Sequence, residues 1–280
     1  MRPSEDLVLL GDNLELLPEL DDGIFQVAYL DPPFNTGRVQ RRRTLATVTA
    51  DDGDRTGFQG RRYATSVLAE SSYADAFDDY LGFLEPRLLE VRRLLCGSGT
   101  LYLHIDYREA HYVKLLLDGL FGRDCFLNEI IWAYDYGARP RRRWPAKHDT
   151  ILVYVKDPDR YWFDAEAVER EPYMAPGLVT AEKAARGKLP TDVWWHTIVS
   201  PTGKEKTGYP TQKPEGILRR IVQASSKPGD WCLDCFAGSG TLGAVAATLG
   251  RRFVLIDSNP EAVAVARRRV AAVSTSGSNG

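Results

Sequence analysis

An α/β fold, one mostly parallel sheet with helices on both faces, is what this sequence predicts, and three observations predict it. Short apolar runs of strand length alternate with stretches whose apolar residues recur every three or four positions. The runs close on Gly, Pro or Asp, the residues that stop a strand at a sheet edge. No segment repeats at a fixed period, so the chain reads as one domain rather than a solenoid.

Leu7 to Leu10 and Phe25 to Leu30 are the first two strands. Phe77, Leu81, Leu84, Leu88, Val91 and Leu95 keep helical spacing and mark a helix buried on one face, with Pro86 as a point of kinking. Leu101 to Ile105 reads as a strand, the spacing of Ala110, Val113, Leu117 and Leu120 as a helix, and Glu129 to Ala133 and Ile151 to Val155 as two more strands. Residues 157 to 208 are less regular. Regularity returns with a helix from Pro214 to Ala224, a strand from Trp231 to Asp234, a glycine turn, a helix from Thr241 and a strand from Phe253 to Ile256. Asn259 caps a last helix with Pro260 and Glu261 in its first turn, and Arg267, Arg268 and Arg269 are expected at the negative end of its dipole.

The 280 residues are 44% hydrophobic and 26% charged, which excludes disorder and small disulfide scaffolds. No apolar run is long enough to span a membrane, and Glu5 and Asp6 interrupt any signal-like start, so a cytoplasmic protein is expected. Cys232 and Cys235 form an isolated C-x-x-C that reads as a buried strand running into a turn. His104, His111, His148 and His196 lack ligand spacing, and no metal is expected.

With 36 Lys plus Arg against 38 Asp plus Glu, a polyanionic partner must be met by a local basic surface. Two stretches supply one. Residues 38 to 62 hold seven arginines and three aspartates without helical or strand period, and a basic mobile loop is expected over 38 to 72. Residues 137 to 148 hold Arg139, Arg141, Arg142, Arg143 and Lys147 around Trp144 with no acid, a loop suited to tracking a phosphate backbone.

Chemistry concentrates in two places. Asp234-Cys235-Phe236-Ala237-Gly238-Ser239-Gly240-Thr241 lies where a strand ends and a helix begins, with glycines that let backbone N–H groups approach a ligand. With Gly243 it satisfies G-x-G-x-x-G, and Asp257 follows at the end of the next strand, where a carboxylate can take ribose hydroxyls. The pattern suits any adenosine-bearing cofactor. Asp31-Pro32-Pro33-Phe34 directly follows the second strand; two prolines stop it and present a carboxylate, a carbonyl and an aromatic face at the carboxyl edge of the sheet. Such a set can hold a planar ring that bears an amine.

Together these segments resemble the amino-group DNA methyltransferases that use S-adenosylmethionine, where the first is the cofactor motif F-x-G-x-G and the second the catalytic D-P-P-[YF]. Tyr209-Pro210-Thr211-Gln212-Lys213-Pro214-Glu215 and Lys227-Pro228-Gly229-Asp230 are similar to the family's approach to the cofactor strand. Gly11-Asp12-Asn13, Leu103-His104-Ile105-Asp106 and Asn128 to Trp132 sit where its lesser motifs fall. The catalytic motif precedes the cofactor motif, as in the permuted β group. Cys235 stands where the family commonly has proline, and Asp257 where many members have glutamate.

The resemblance implies a Rossmann-like methyltransferase fold with a mostly parallel seven-stranded sheet and a small inserted target-recognition region. The core would comprise residues 1–37, 73–156 and 209–273, with target recognition in 157–208, including Trp194, Trp195 and His196, and a disordered tail at 274–280. Asp31, Pro32, Pro33 and Phe34 would be catalytic. Asp12, Asp31, Lys213, Asp234, Phe236, Ala237, Gly238, Ser239, Gly240, Thr241, Asp257 and Ser258 would hold S-adenosylmethionine. Double-stranded DNA is the implied partner, with a flipped base as target, and a homodimer follows by analogy with the β group. Asp31 in the motif favours adenine N6 over cytosine N4. A nicotinamide-dependent oxidoreductase fits the glycines alone, but too little chain follows Gly240 for the second half of a dinucleotide domain; a non-catalytic DNA-binding protein conflicts with the intact Asp31 and Gly238 motifs.

Overall fold

The computed structural model describes residues 1–35, 38–49, 55–56, 62–75, 77, 79–137, 139–200, 203 and 205–276. Two units are separable, one of Met1–Pro32 with Leu81–Gly280 and one of Pro33–Tyr80.

The elements follow the expected alternation. They are β1 (Leu7–Leu10), α1 (Asn13–Leu16), β2 (Phe25–Leu30), β3 (Arg38–Thr49), β4 (Arg55–Thr56), β5 (Arg62–Asp75), α2 (Tyr80–Leu94), β6 (Leu95–Ile105), α3 (Ala110–Phe121), β7 (Phe126–Ala133) and β8 (His148–Val155). Then come α4 (Ala181–Arg186), β9 (Val193–Trp195), α5 (Glu215–Ser225), β10 (Trp231–Asp234), α6 (Thr241–Thr248), β11 (Arg252–Asp257) and α7 (Pro260–Ser276). No described helix is long and apolar enough to cross a membrane.

The larger unit is built on a sheet of order β1-β11-β10-β2-β6-β8-β7-β9, in which only β8 runs against its neighbours. Eight strands replace the expected seven because Val193–Trp195 pairs in parallel with Ile131–Ala133. Three residues are too short for an alternation to be read. Trp194 is buried with Nε1 on the Thr191 carbonyl at 2.7 Å, so this tryptophan is a core anchor, while Trp195 is 75% exposed.

The direction of the strands places the chemistry. Parallel strands β1, β11, β10, β2 and β6 end at one edge, and the reversal at β8 brings the β7–β8 loop to that same edge. Ligands of open α/β sheets bind outside the carboxyl ends of the strands. Buried Val27, Tyr29, Tyr102, Trp132, Ile151, Ile217, Ile221 and Leu255 form the core beneath this edge.

Residues 157–192 lie along the other end of the sheet, tied by the Trp162 N–H to the Ser98 carbonyl (3.1 Å) and the Asp164 N–H to the Ala224 carbonyl (2.7 Å). A cavity of about 550 Å³ between them and the sheet is lined by Tyr102, Leu127, Val153, Phe163, Trp194 and Ile221.

Three expectations are corrected. Residues 38–49 and 62–75 form an antiparallel ribbon, Val39 opposite Ala74 and Thr49 opposite Tyr63, where a loop was expected. Thr, Val and Tyr give these strands their propensity without an alternating pattern, and residues 50–54 and 57–61 lie outside the described ones. The last helix continues through Ser274 to Ser276 in place of a tail starting at 274; residues 277–280 lie outside the described ones. Arg267, Arg268 and Arg269 are therefore mid-helix rather than at the dipole's negative end. Arg267 donates to the Val8 carbonyl at 2.9 Å, and Arg269 to Thr241 and Glu215. The Asn259 cap is as expected, its Oδ1 accepting the Glu261 N–H at 2.9 Å.

Candidate active site

The glycine turn between β10 and α6 is shaped by backbone that other residues resist. Gly238 and Gly240 have φ of +50° and +71°, the left-handed region that costs an ordinary side chain. A Cβ on Gly240 would also lie 2.7 Å from Ala266 Cβ, so α7 packs on this turn only because Gly240 is bare. The Gly238 N–H donates to Asp257 Oδ2 at 2.7 Å, and the Ala237 N–H to the Ile256 carbonyl at 3.0 Å, which lock the turn to the end of β11.

Hydroxyls of the turn face the protein. Thr241 Oγ1 donates to the Lys213 carbonyl (3.1 Å) and accepts from Arg269 (2.8 Å), and buried Ser239 lies beside it at 3.3 Å. Their role is to fix the turn. Ser258 is exposed at the end of β11. Asp12 caps α1 by accepting the Leu14 N–H at 2.9 Å, and pairs with Arg87 at 3.3 Å. Asn13 Nδ2 donates to the Cys235 carbonyl at 2.8 Å, which ties the ends of β1 and β10. Phe236 packs against Phe83, ring centroids 6.1 Å apart.

Asp31 and Pro32 directly follow β2, the strand next to β10, so this carboxylate and the glycine turn rise from neighbouring strands about 5 Å apart. Lys213 joins them: its Nζ is ion-paired with Asp31 Oδ2 while its carbonyl accepts from Thr241. Asp31 Oδ1 is buried and has no hydrogen-bond partner among the described residues. Pro33 and Phe34 open the smaller unit, where the Pro33 carbonyl accepts from Tyr80 Oη at 2.6 Å and Asn35, at φ +53°, accepts the Phe77 N–H at 3.0 Å.

Burial dominates the electrostatics. It holds the Asp234 carboxyl well above the usual carboxylate range, against the Phe236 N–H and with the help of Asp31 and Asp257. Burial raises Asp257 too, opposed by the N–H groups of Asn259 and Gly238. Three carboxyls within one small region, with Lys213 as the nearby cation, make a setting that favours a positively charged ligand. Burial likewise pushes the Cys232 thiol up to about 12, as for a core cysteine.

A group the sequence did not reveal lies behind Asp31. His104, fully buried on β6, has Nδ1 2.8 Å from Tyr29 Oη and Nε2 3.2 Å from Asp149 Oδ2, and Tyr134 Oη donates to Asp149 Oδ1 at 3.1 Å. The available signal was a histidine inside the apolar run Leu101 to Ile105. Its partners come from two other strands, β2 and β8, and no local pattern links them.

In the β7–β8 loop, Arg141, Arg142 and Arg143 are exposed and Trp144 is 92% exposed. Arg139 pairs with Asp135 at 3.1 Å, and Lys147 donates to the Gly137 carbonyl at 2.8 Å, so this lysine closes the loop on itself.

An open α/β sheet with a glycine turn and an Asp-Pro-Pro turn on adjacent strands defines a nucleotide-cofactor enzyme of the methyltransferase class. The N6/N4 DNA methylase family model matches residues 25–268. The chain is 30% identical over 271 residues to the DNA adenine methyltransferase YhdJ of Escherichia coli (strain K12), covering 94% of this chain and 82% of that protein. Its fold is similar to the M1.HpyAVI–SAM complex (TM-score 0.60, 21% identity, covering 94% of this chain and 98% of that one). It is also similar to the PvuII cytosine-N4-specific DNA methyltransferase (TM-score 0.65, 14% identity, 98% and 94%). The chain belongs to the N6/N4 DNA methylase family and is an S-adenosylmethionine-dependent DNA methyltransferase.

Proposed function

We propose that the enzyme methylates the exocyclic amine of a base flipped out of double-stranded DNA, adenine N6 rather than cytosine N4. The observation that carries this reading is the Lys213 bridge, whose side chain holds Asp31 and whose backbone holds the glycine turn. Asp31 at the head of the motif and the adenine-directed relative favour adenine.

Gly238 and Gly240 allow close approach to the cofactor, Asp257 takes its ribose, Asp12 its adenine amine, Phe236 the adenosine region, and Lys213 its carboxylate. Ala237, Ser239, Thr241 and Ser258 shape the turn and its rim. Bound there, S-adenosylmethionine supplies a methyl group on a cationic sulfur, an electrophile that Asp31 and Asp234 favour. The chain's own task is the amine. Its lone pair is delocalised into the ring; Asp31 and the Pro32 carbonyl accept its two hydrogens and turn that lone pair outward, and Phe34 stacks on the base. Unstacking costs a few kcal/mol, offset in part by that stacking.

Arg141, Arg142 and Arg143, with Arg139 and Lys147, track the phosphate backbone, and of the 157–208 stretch only the part that begins with β9 is left to read the sequence, because residues 157–192 lie along the other end of the sheet. A homodimer at the nucleoid in the cytoplasm completes the reading, tested by light scattering and fractionation. The test of the reaction is incubation with labelled S-adenosylmethionine and mixed genomic DNA, followed by nucleoside analysis. Label in N6-methyldeoxyadenosine supports the reading, label in N4-methyldeoxycytidine reverses the base assignment, and label in neither overturns the activity.

A further inference from the structure

We propose that His104, backed by Asp149 and Tyr29, is a buried proton acceptor behind Asp31 that clears the proton released by the methylated amine. The proposal rests on Asp31 as the group that accepts the amine's hydrogens.

A fully buried imidazole is costly unless both ring nitrogens are bonded. Those of His104 are: Nε2 meets a carboxylate, which accepts only, so Nε2 carries the hydrogen. In the neutral ring Nδ1 is then the acceptor and Tyr29 Oη donates to it. This tautomer follows from the partners' chemistry. Packing alone accounts for that much.

Packing does not account for what Nδ1 faces. It lies 3.9 Å from Asp31 Oδ1, the buried oxygen without a hydrogen-bond partner among the described residues, whereas Oδ2 is held by Lys213. The two oxygens of Asp31 are thus differentiated, one toward a cation and one toward a ring nitrogen.

Strand geometry explains the placement. Tyr29 is on β2 and Asp31 directly follows that strand, and Asp149 is two residues from Ile151, the cross-strand partner of His104. Among the described residues, the charged and titratable groups around the imidazole include Tyr29 on β2 and Asp31 just after it, Asp149 on β8, Tyr134 just after β7 and behind Asp149, and Lys213 beyond Asp31. Burial would raise Asp149, but His104, Lys213 and Tyr134 outweigh it and hold the carboxylate below its usual range, ready to face an imidazolium.

The proton balance is simple. A methylated amine nitrogen carries one proton more than its neutral product. That N–H bond breaks with its electron pair left on nitrogen, and the proton goes to the Asp31 carboxylate, whose buried oxygen faces His104. Lys213 beside Oδ2 disfavours its staying there. It passes to His104 Nδ1 as the Tyr29 hydroxyl turns its hydrogen away from that nitrogen, and Asp149 balances the charge. On product release it returns through Asp31 to water.

The test compares His104→Gln, Asp149→Asn, Tyr29→Phe and Asp31→Asn in single-turnover methylation of DNA across pH, alongside ¹⁵N-histidine NMR of the protein alone. With four histidines in the chain, His104→Gln also assigns the signal. The expected result is a loss of about 10- to 100-fold for His104→Gln and Asp149→Asn, less for Tyr29→Phe. DNA and cofactor affinity stay within about threefold, and the acid limb of the rate profile is displaced. NMR is expected to show His104 carrying its proton on Nε2. A full rate in His104→Gln, a loss with an unchanged pH profile, or a proton on Nδ1 overturns the proposal. If His104→Gln does not fold, the other variants and the wild-type NMR decide. An active Asp31→Asn refutes the role of Asp31 itself; an inactive one beside a fully active His104→Gln refutes the relay alone.

Discussion

The two halves of the sheet edge are built by different means. On the cofactor side, β1, β10 and β11 present backbone: a turn with two left-handed glycines, N–H groups on carboxylates, and helix caps at Asp12 and Asn259. On the target side, β2, β6, β7 and β8 present side chains that meet only in the fold, Asp31 with Lys213, and Tyr29, His104, Asp149 and Tyr134 in a row. A half made of backbone geometry depends on which residues are absent. A half made of side chains depends on which are present, and substitutions should divide accordingly.

The sharpest break is expected from Asp31→Ala. Methyl transfer should fall by about 10³-fold or more, as for removal of a preorganised transition-state contact, while calorimetry shows cofactor binding within a few fold. Near-normal transfer would remove Asp31 from the chemistry.

Gly240→Ala probes the other half. It combines a left-handed backbone with a Cβ 2.7 Å from Ala266, so a loss of about 2–4 kcal/mol in denaturant unfolding is expected, with weaker cofactor binding. An unchanged midpoint would show that α7 can yield.

Changing Arg141, Arg142 and Arg143 together to Gln should leave stability within about 0.5 kcal/mol and reduce the slope of log affinity against log salt by about 3. An unaltered slope would take this loop out of the DNA interface.

The smallest effect concerns Asp234. Burial raises its carboxyl in the folded state, so its share of stability is full at acid pH, below the unfolded value, and is lost as pH rises through the folded one. Asp234→Asn should therefore melt a few degrees higher at neutral pH, with a gain over wild type that shrinks on acidification, and bind the cofactor less well. A lower melting temperature at neutral pH would mean the carboxylate is stabilised as an ion.

The same contrast decided what could be read in advance. The glycine turn, Asp257 and the Asn259 cap fall within the single stretch from Asp234 to Asn259, each with a local physical reason, and their elements appear where expected. The Asp31 turn was legible because two prolines after an apolar strand admit few conformations. His104 and Asp149 were not, since 45 residues and a change of strand separate two groups that act as one. The eighth strand was hidden by its length, and the ribbon of residues 38–49 and 62–75 because its propensity comes without alternation. Arg267 and Arg269 misled because a charge on a helix says little about whether it serves the dipole or a neighbouring carbonyl.

All of these effects presuppose that Asp31 and the Gly238–Gly240 turn serve one reaction centre. A crystal structure of the protein with S-adenosylmethionine bound measures that directly. The account predicts the adenosine across the ends of β10 and β11 and the methyl group turned toward Asp31 Oδ1. A methyl group turned away from β2, or a cofactor seated elsewhere on the molecule, would contradict it.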